Sequence, residues 1–340
     1  MTRPTHLRTV FLAAVCVLAT MAGGCATGGP DPATPPPRPL TDLIWDVRTG
    51  EFVSLGQLLN EAASADHLLL GEVHVNPYHH AAQETILAAL VARGRRPAVV
   101  FEMMDRDQQP AIDALRAAGR PTADELAEAT GFKDRGWDWP LYRPLVALAL
   151  EHELAILAGN APVDETRALV RDGVASMDSE RWRALGLDTP LAPAAQAALV
   201  DVMVQSHCGH APGDYAVRLV EAQRLRDATM SDVMLGAAPS PTVLITGAGH
   251  ARRDHGVPLY LAEQAPAARV LALRLVEVAP GATDPKDYRN QIEGLPRPFD
   301  YLWFTPALER PDPCEQFREG LERMRQQATE GDENATPLPK

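Results

Sequence analysis

The chain has 340 residues, a formal net charge of −13, 46% hydrophobic and 5% aromatic residues, and four cysteines. So acidic a balance argues against nucleic acid or anionic lipid as a partner, because both need a basic surface. The apolar content is enough for one large domain or two small ones, each with its own core.

In chain order, the first feature is an address. Arg3 and Arg8 form a positive n-region, Val10 to Ala22 is an apolar run short for a bilayer span, and Gly23 and Gly24 precede Cys25. This predicts Sec-type export, cleavage before Cys25 and a lipid anchor (palmitate among its acyl chains) on that cysteine. An ordinary signal peptide cut near the same glycines is the alternative, because Ala22 stands where lipoprotein sites usually carry leucine. Residues 26–40 form a linker rich in proline and small residues, and Pro30 to Pro39 would reach about 30 Å in a polyproline conformation. Ala26, rather than an aspartate, follows the cysteine, which by lipoprotein sorting points to the outer membrane. No later apolar run is long enough to be a membrane span. Residues 41–310 are expected to form the folded domain, and residues 311–340, polar and proline-ended, a largely disordered tail. With Cys16 in the signal and Cys25 carrying lipid, Cys208 and Cys314 remain; an oxidising compartment permits a disulfide between them, but the sequence leaves the pairing open.

Within the domain, short apolar runs alternate with helical patterns. The runs His67 to Gly71, Ala98 to Phe101, Leu154 to Leu157, Thr242 to Ile245 and Val270 to Leu275 read as buried strands. Asn76 followed by Pro77 is an N-cap with proline at the first helical position, opening a helix to about Val91 that Gly94 ends. Further helices are expected near Asp107, near Pro140, after Asn160-Ala161-Pro162, and from Asp214 to Leu235. Strand, helix, strand recurs, which predicts an α/β fold with a mostly parallel central sheet and helices on both faces.

Polar residues then gather where the strands end. Gly71-Glu72-Val73-His74 closes the first, Glu102 the second, Asn160 the third and Gly247-Ala248-Gly249-His250 the fourth. Ligands of open parallel sheets bind outside the carboxyl ends of the strands, so these residues are expected to face one crevice. The spacing of two in Glu72 and His74 puts both on one side of an extended chain, and His79 and Gln83 share a helix face that can point back at the crevice. Glu72, His74, Glu102 and His250 offer mixed oxygen and nitrogen ligands to a divalent metal, or an acid and a base for hydrolysis. For each residue alone, a cap or a loop hydrogen bond is the plainer reading. His207, in Ser206-His207-Cys208-Gly209-His210, belongs either to a ligand loop or to a helix C-terminus. Arg252 and Arg253 make a basic step suited to a carboxylate or phosphate, or a merely exposed turn.

Taken together, Gly71-Glu72-Val73-His74 with His79, His80 and Gln83, Phe101-Glu102-Met103, Gly136 to Trp139 with Tyr142, Ala158-Gly159-Asn160, Gln223 with Asp227 and Met230, Gly247 to His250, Gly256-Val257-Pro258 and Phe299-Asp300-Tyr301 resemble the ChaN family of haem-binding lipoproteins. The resemblance covers nearly the whole domain. It implies haem binding at the outer membrane in iron acquisition, by a protein that pairs as a homodimer around its haems, with an outer-membrane haem receptor as a further partner. It implies a tyrosine ligand to iron, which favours ferric haem, with histidine and basic groups on the propionates. Carried onto this chain, the haem-site candidates are His255, standing where many relatives have tyrosine, together with Tyr142, His79, His250, Arg253 and His207; Tyr215 and Tyr260 are further candidates for the ligand. The same strand-end pattern looks like that of the Tiki and TraB proteases and the erythromycin esterases. This gives a rival, a metal-dependent hydrolase with Glu72, His74, Glu102 and His250 at its centre. No Gly-x-Ser-x-Gly elbow and no His-Glu-x-x-His motif accompanies it.

Overall fold

The computed structural model describes residues 39–323 apart from 212, 313, 316, 317 and 321. The signal segment with Cys25, the linker to residue 38 and the tail from residue 324 lie outside the described residues. Among the described residues no helix is long and apolar enough to cross a membrane.

The domain begins with two short strands, β1 (Ile44–Asp46) and β2 (Glu51–Val53). Helix α1 (Leu55–Ser64) follows, opened by a capping box in which Ser54 and Gln57 each satisfy the other's backbone N–H. Next come β3 (His67–Glu72), α2 (Pro77–Ala92), β4 (Ala98–Asp105), α3 (Gln109–Ala118), α4 (Ala123–Ala129), α5 (Trp139–Glu151) and β5 (Ile156–Asn160). The second half runs α6 (Val163–Asp172), α7 (Ser179–Ala184), α8 (Pro193–Ser206), α9 (Gly213–Gly236), β6 (Thr242–Gly247), α10 (Val257–Gln264), β7 (Val270–Val278) and β8 (Tyr301–Pro306). The expected N-cap is present: the Asn76 side chain accepts from the Tyr78 N–H, and Pro77 occupies the first turn, where its missing N–H has no partner to lose.

The strands form one eight-stranded sheet in the order β2-β1-β8-β7-β3-β6-β4-β5. From β8 to β5 all neighbours are parallel, and the β1–β2 hairpin closes the β8 edge antiparallel. The fold is therefore the expected α/β class with a mostly parallel sheet. Each of the five strands read from the sequence is present, and β1, β2 and β8 are additional.

Alternation along the inner strands explains the two cores. Leu68, Leu70, Val99, Phe101, Val243 and Ile245 point to one face, where α1 to α5 cover them through Leu58, Ile86, Leu126, Leu145 and others. Leu69, Val100, Leu244 and Ala272 point to the other, against Met230 and Met234 of α9 and Val257 and Leu261 of α10. Burial on both faces is why these strands read as unbroken apolar runs. Each such leucine or valine contributes roughly 1.5–3 kcal/mol by leaving water.

Candidate functional site

The centre of the sheet brings Glu72, Gly247 and Glu102 to one edge. β3, β6 and β4 are adjacent, and the register sets Glu72 beside Gly247, with Glu102 one strand further on. Glu72 and Gly247 end their strands, and Glu102 directly follows Phe101, the last β4 residue paired with β6. Glu72 and Glu102 are almost wholly buried, at 3% and 2% exposure.

Buried carboxylates need partners, and both have them, although Glu72 Oε2 makes no hydrogen bond and meets only His80 Nδ1, at 3.5 Å. The Tyr142 hydroxyl donates to Glu72 Oε1 at 2.6 Å, and His74 Nδ1 meets the same oxygen at 2.9 Å. Glu102 Oε2 accepts from the Thr246 hydroxyl and the Gly247 N–H, both at 2.7 Å. Its Oε1 faces Arg226 Nη2 at 3.1 Å and His250 Nε2 at 3.3 Å. On its far side His250 Nδ1 lies 2.6 Å from Asp227 Oδ1. Gly247 makes the join between the two halves: a Cβ there would sit 2.8 Å from His74 Nε2 and 3.6 Å from Glu102 Oε2, so only glycine lets the imidazole lie across the strand end. The result is a run of alternating carboxylates and imidazoles from Glu72 through His74, Glu102 and His250 to Asp227.

Charge in this run is balanced, with Glu72, Glu102 and Asp227 set against His74, His250 and Arg226. Burial opposes protonation of His250, but Glu102 and Asp227 more than reverse it and bring its pKa to about 9. Burial likewise opposes protonation of His74, and its bond to Glu72 with the nearby Glu102 charge leaves the net shift upward. Burial works against ionisation of Glu102 too, yet the two histidines and Arg226 hold its pKa well below the usual carboxylate range. For Asp227 burial prevails, and its pKa is raised. The carboxylates thus favour the protonated form of both imidazoles, most strongly at His250.

Over this floor opens a cleft of about 1100 Å³. Glu102 and Asn160 form its base, where Asn160 bridges the Glu102 carbonyl and Arg226. One wall is α6, with Val163, Val170, Arg167 and Arg171. The opposite wall is built from the end of α8 and the start of α9, with Met203, His207, Tyr215, Leu219 and Gln223. Trp137, edge-on to His74, and Arg135, paired with Asp105, close one end. His207 caps α8 and donates from Nδ1 to the Met203 carbonyl at 2.8 Å, which leaves the Nε2 edge of the ring on the cleft side of the bond. It is both a helix C-terminus and part of the cleft. Tyr215 is 44% exposed.

The other residues singled out in the sequence are dispersed. Glu72, His74, Glu102 and His250 come together as described, but among the described residues no group of three or more His, Cys, Asp or Glu side chains is arranged to hold a metal ion. Their oxygens and nitrogens face one another and not a common point. His79 and Gln83 turn into the core: His79 bonds the Val73 N–H and Thr305, and Gln83 donates to the Leu70 carbonyl. Tyr142 lies under the floor, fully buried, with burial and Glu72 raising its pKa. Tyr260 is also buried, bonded to Arg224. His255 is 4% exposed and away from the cleft lining, and burial lowers its pKa to about 4. Arg253 reaches the Val270 carbonyl and Asp300, at the opposite ends of the strands. Arg226, Arg167 and Arg171 escape the sequence reading. The spacing of four in the two α6 arginines, just after a strand end, is the one signal that marks them.

A family model described as haem-binding uptake, Tiki superfamily, ChaN, matches residues 58–261, a span that holds Glu72, Glu102, Tyr215 and His250. No curated protein matches the chain. Among solved structures it is similar to ChaN of Campylobacter jejuni, described with cofacial haem binding: 23% identity, TM-score 0.61, covering 76% of this chain and 95% of that one. An erythromycin esterase in its open conformation (13% identity, TM-score 0.42, 76% and 94% covered) and a protein from Bacillus cereus (13%, 0.41, 75% and 92%) are more distant. With more than half of its length matched by that model, the chain belongs to the haem-binding uptake family, ChaN, of the Tiki superfamily.

Proposed function

We propose that this protein binds haem in the cleft between α6 and the α8–α9 wall, and that it does so as an exported lipoprotein anchored through Cys25 at the outer membrane, serving haem or iron acquisition. The observation that carries the reading is the make-up of the cleft. A porphyrin needs apolar faces, cations for two propionates and an iron ligand. Val163, Val170, Met203 and Leu219 supply the faces, and Arg167 and Arg171 stand on the rim of α6. Tyr215 and His207 supply a phenol and the Nε2 edge of an imidazole, and of the tyrosines considered from the sequence only Tyr215 lines the cleft. Its width suits a ligand at the upper end of the common range, about 300–1,000 Å³ for pockets of this kind. Bound haem supplies a ferric centre open to an axial ligand. The chain's own part is to orient the macrocycle, neutralise its carboxylates and exclude water from one face. The disulfide between Cys208 and Cys314 supports an oxidising compartment, and the exposed Val202, Tyr215 and Val217 beside the cleft suit pairing of two copies. An outer-membrane haem receptor fits as the partner that receives or delivers the cargo.

The test is a hemin titration of the purified chain followed at the Soret band. A saturable shift near one equivalent per cleft is expected, and no saturable change overturns the proposal.

A second reading is favoured by the floor itself. The run Glu72, His74, Glu102, His250 and Asp227 couples the His74 imidazole, whose side chain is 35% exposed, to the Glu102 carboxylate at the base of the cleft. That arrangement suits hydrolysis of an ester or amide, with His74 as the acid–base group and Glu72, bonded to its Nδ1, orienting the ring. Loss of a hydrolytic activity in Glu72→Gln and Glu102→Gln variants that still fold is the expected outcome, and retained activity removes this reading.

A further inference from the structure

The cleft wall that carries His207 and Tyr215 is a chain reversal, and side-chain packing does little to fix it. Ser206 and Gly209 are exposed, and α8 packs through Ala195 and Leu199, with Val200 and Met203 partly buried against the same cluster, so beyond Met203 the side-chain packing thins out. Cys208 and Gly209 are consecutive left-handed residues, with φ of 55° and 79°. Glycine takes that conformation freely, whereas a residue with a Cβ resists it and has to be held there. Backbone N–H groups of Cys208, Gly209 and His210 close the turn onto the Gln205, Val204 and His207 carbonyls, and a covalent tie is added: the Cys208 sulfur is joined to Cys314, 106 residues further along, in the segment that follows β8. The tethered residue stands directly after His207 and shortly before Tyr215, so it lies between the two groups offered to the iron.

We infer that the Cys208–Cys314 disulfide is a clamp on the cleft, fixing the wall between His207 and Tyr215 so that ligand affinity depends on the redox state of this pair. The inference rests on the haem reading for the identity of the ligand, but not for the clamping of the wall. Both cysteines are half-buried, within reach of a dithiol donor. One thiolate of the donor attacks a sulfur of the pair, the S–S bond breaks and a mixed disulfide forms. The donor's second thiolate then displaces the remaining protein sulfur. Both cysteines end as thiols, taking up two protons, and the donor ends oxidised to its own disulfide. Freed of the tether, residues 206–210 would relax from the left-handed turn, and His207 and Tyr215, the groups that would serve a bound haem, would no longer be held on one fixed wall.

The test uses the full chain, purified in detergent, in three forms: oxidised wild type, wild type reduced with a trialkylphosphine, and a Cys208→Ser/Cys314→Ser variant. The reduced wild type keeps the test alive if the variant folds poorly. Two quantities are read, hydrogen exchange of the amides of residues 206–210 and the hemin dissociation constant from Soret titration. Faster exchange together with at least tenfold weaker hemin binding in both cysteine-free forms is expected. Unchanged exchange overturns the clamp, and faster exchange with hemin affinity within twofold overturns its coupling to the cleft. If no form binds hemin, it is the haem reading that fails, and the exchange data alone decide whether the wall is clamped.

Discussion

Replacing His250 by Asn removes the cation that separates two buried carboxylates. The ring meets Asp227 at 2.6 Å and Glu102 at 3.3 Å, and those residues are 0% and 2% exposed. Taking one partner from a buried ion pair leaves an uncompensated charge and typically costs about 3–5 kcal/mol. Arg226 still neutralises Glu102 in the variant, so Asp227 bears most of the deficit and the lower end, about 3 kcal/mol, is expected. For a domain of this size that corresponds to a fall in Tm of roughly 6 °C.

The same proton gives an independent route to the magnitude. His250 is raised from its ordinary 6.5 to about 9. A group raised on folding stabilises fully below its unfolded pKa and ceases to do so as the pH climbs through the folded one. Holding the proton across that window is worth roughly 3 kcal/mol, at about 1.4 kcal/mol per pH unit. Thermal unfolding followed by circular dichroism between pH 6 and about pH 9.5 tests both routes, since it spans the two pKa values. Wild type is expected to lose stability from neutral pH upward, whereas His250→Asn starts lower and declines less, so that the two curves converge at the alkaline end. His74, raised for a similar reason, leaves a residual slope in the variant, which makes convergence the criterion. Parallel curves, or a variant as stable as wild type at neutral pH, would refute the account of the floor as a charge-balanced run.

Three further outcomes follow from the cleft. Arg167→Ala combined with Arg171→Ala is expected to weaken hemin binding about tenfold, since exposed ion pairs give up to about 1 kcal/mol each; the dimethyl ester of haem, lacking carboxylates, is expected to bind both proteins alike, and an equal loss for the ester would contradict a propionate role. Tyr215→Phe is expected to move the visible spectrum of bound hemin while Tyr142→Phe, altered under the floor, leaves it in place; an unmoved Tyr215→Phe spectrum assigns the iron to His207 instead. Gly247→Ala is expected to push the His74 ring off the strand end, because the new methyl falls 2.8 Å from Nε2, and to lower stability by roughly 1–3 kcal/mol; an unshifted His74 imidazole resonance in NMR counts against that packing.

How far the sequence discloses this molecule depends on whether a feature is set locally. Strands β3, β4, β5, β6 and β7 are legible because burial on both faces imposes continuous apolar runs. Strands β1 and β2 are three residues each; β2 pairs with β1, and β1 joins the sheet only by pairing with β8, more than 250 residues away, so runs this short leave no clear pattern in the sequence. Glu72, Glu102 and His250 are legible because a parallel sheet gathers its carboxyl ends, so position along a strand is enough to bring them together. Asp227 and Arg226 complete the same run from α9, and their meeting with β4 and β6 is a fact of helix docking that periodicity does not encode. His79 and Gln83 illustrate the converse. Their spacing puts them on one helix face, but that face is the one α2 packs onto the sheet, so they satisfy backbone groups of the core. Arg253 departs for a similar reason: the loop after β6 crosses the sheet, passing over Gly71, and delivers its arginine to the far end.

That crossing also bears on how a chain of net charge −13 can receive a dianionic ligand. Net charge acts over distances that salt screens within about 8–10 Å, so what a bound carboxylate feels is the nearest few groups. In the floor beneath the cleft the carboxylates face His74, His250 and Arg226, which offset their field. The rim therefore decides the local sign, and on α6 it carries Arg167 and Arg171, whose acidic partners Asp164 and Asp172 are exposed to solvent. Offsetting the field of the floor leaves the rim arginines as the anion-attracting element: Arg167, 3.9 Å from Asp164, and Arg171, whose Nε and Nη2 both bond Asp172. On this argument the buried run and the open cleft are parts of one device, and disturbing His250 is expected to weaken anion binding above it even though the ring itself stays out of the cleft.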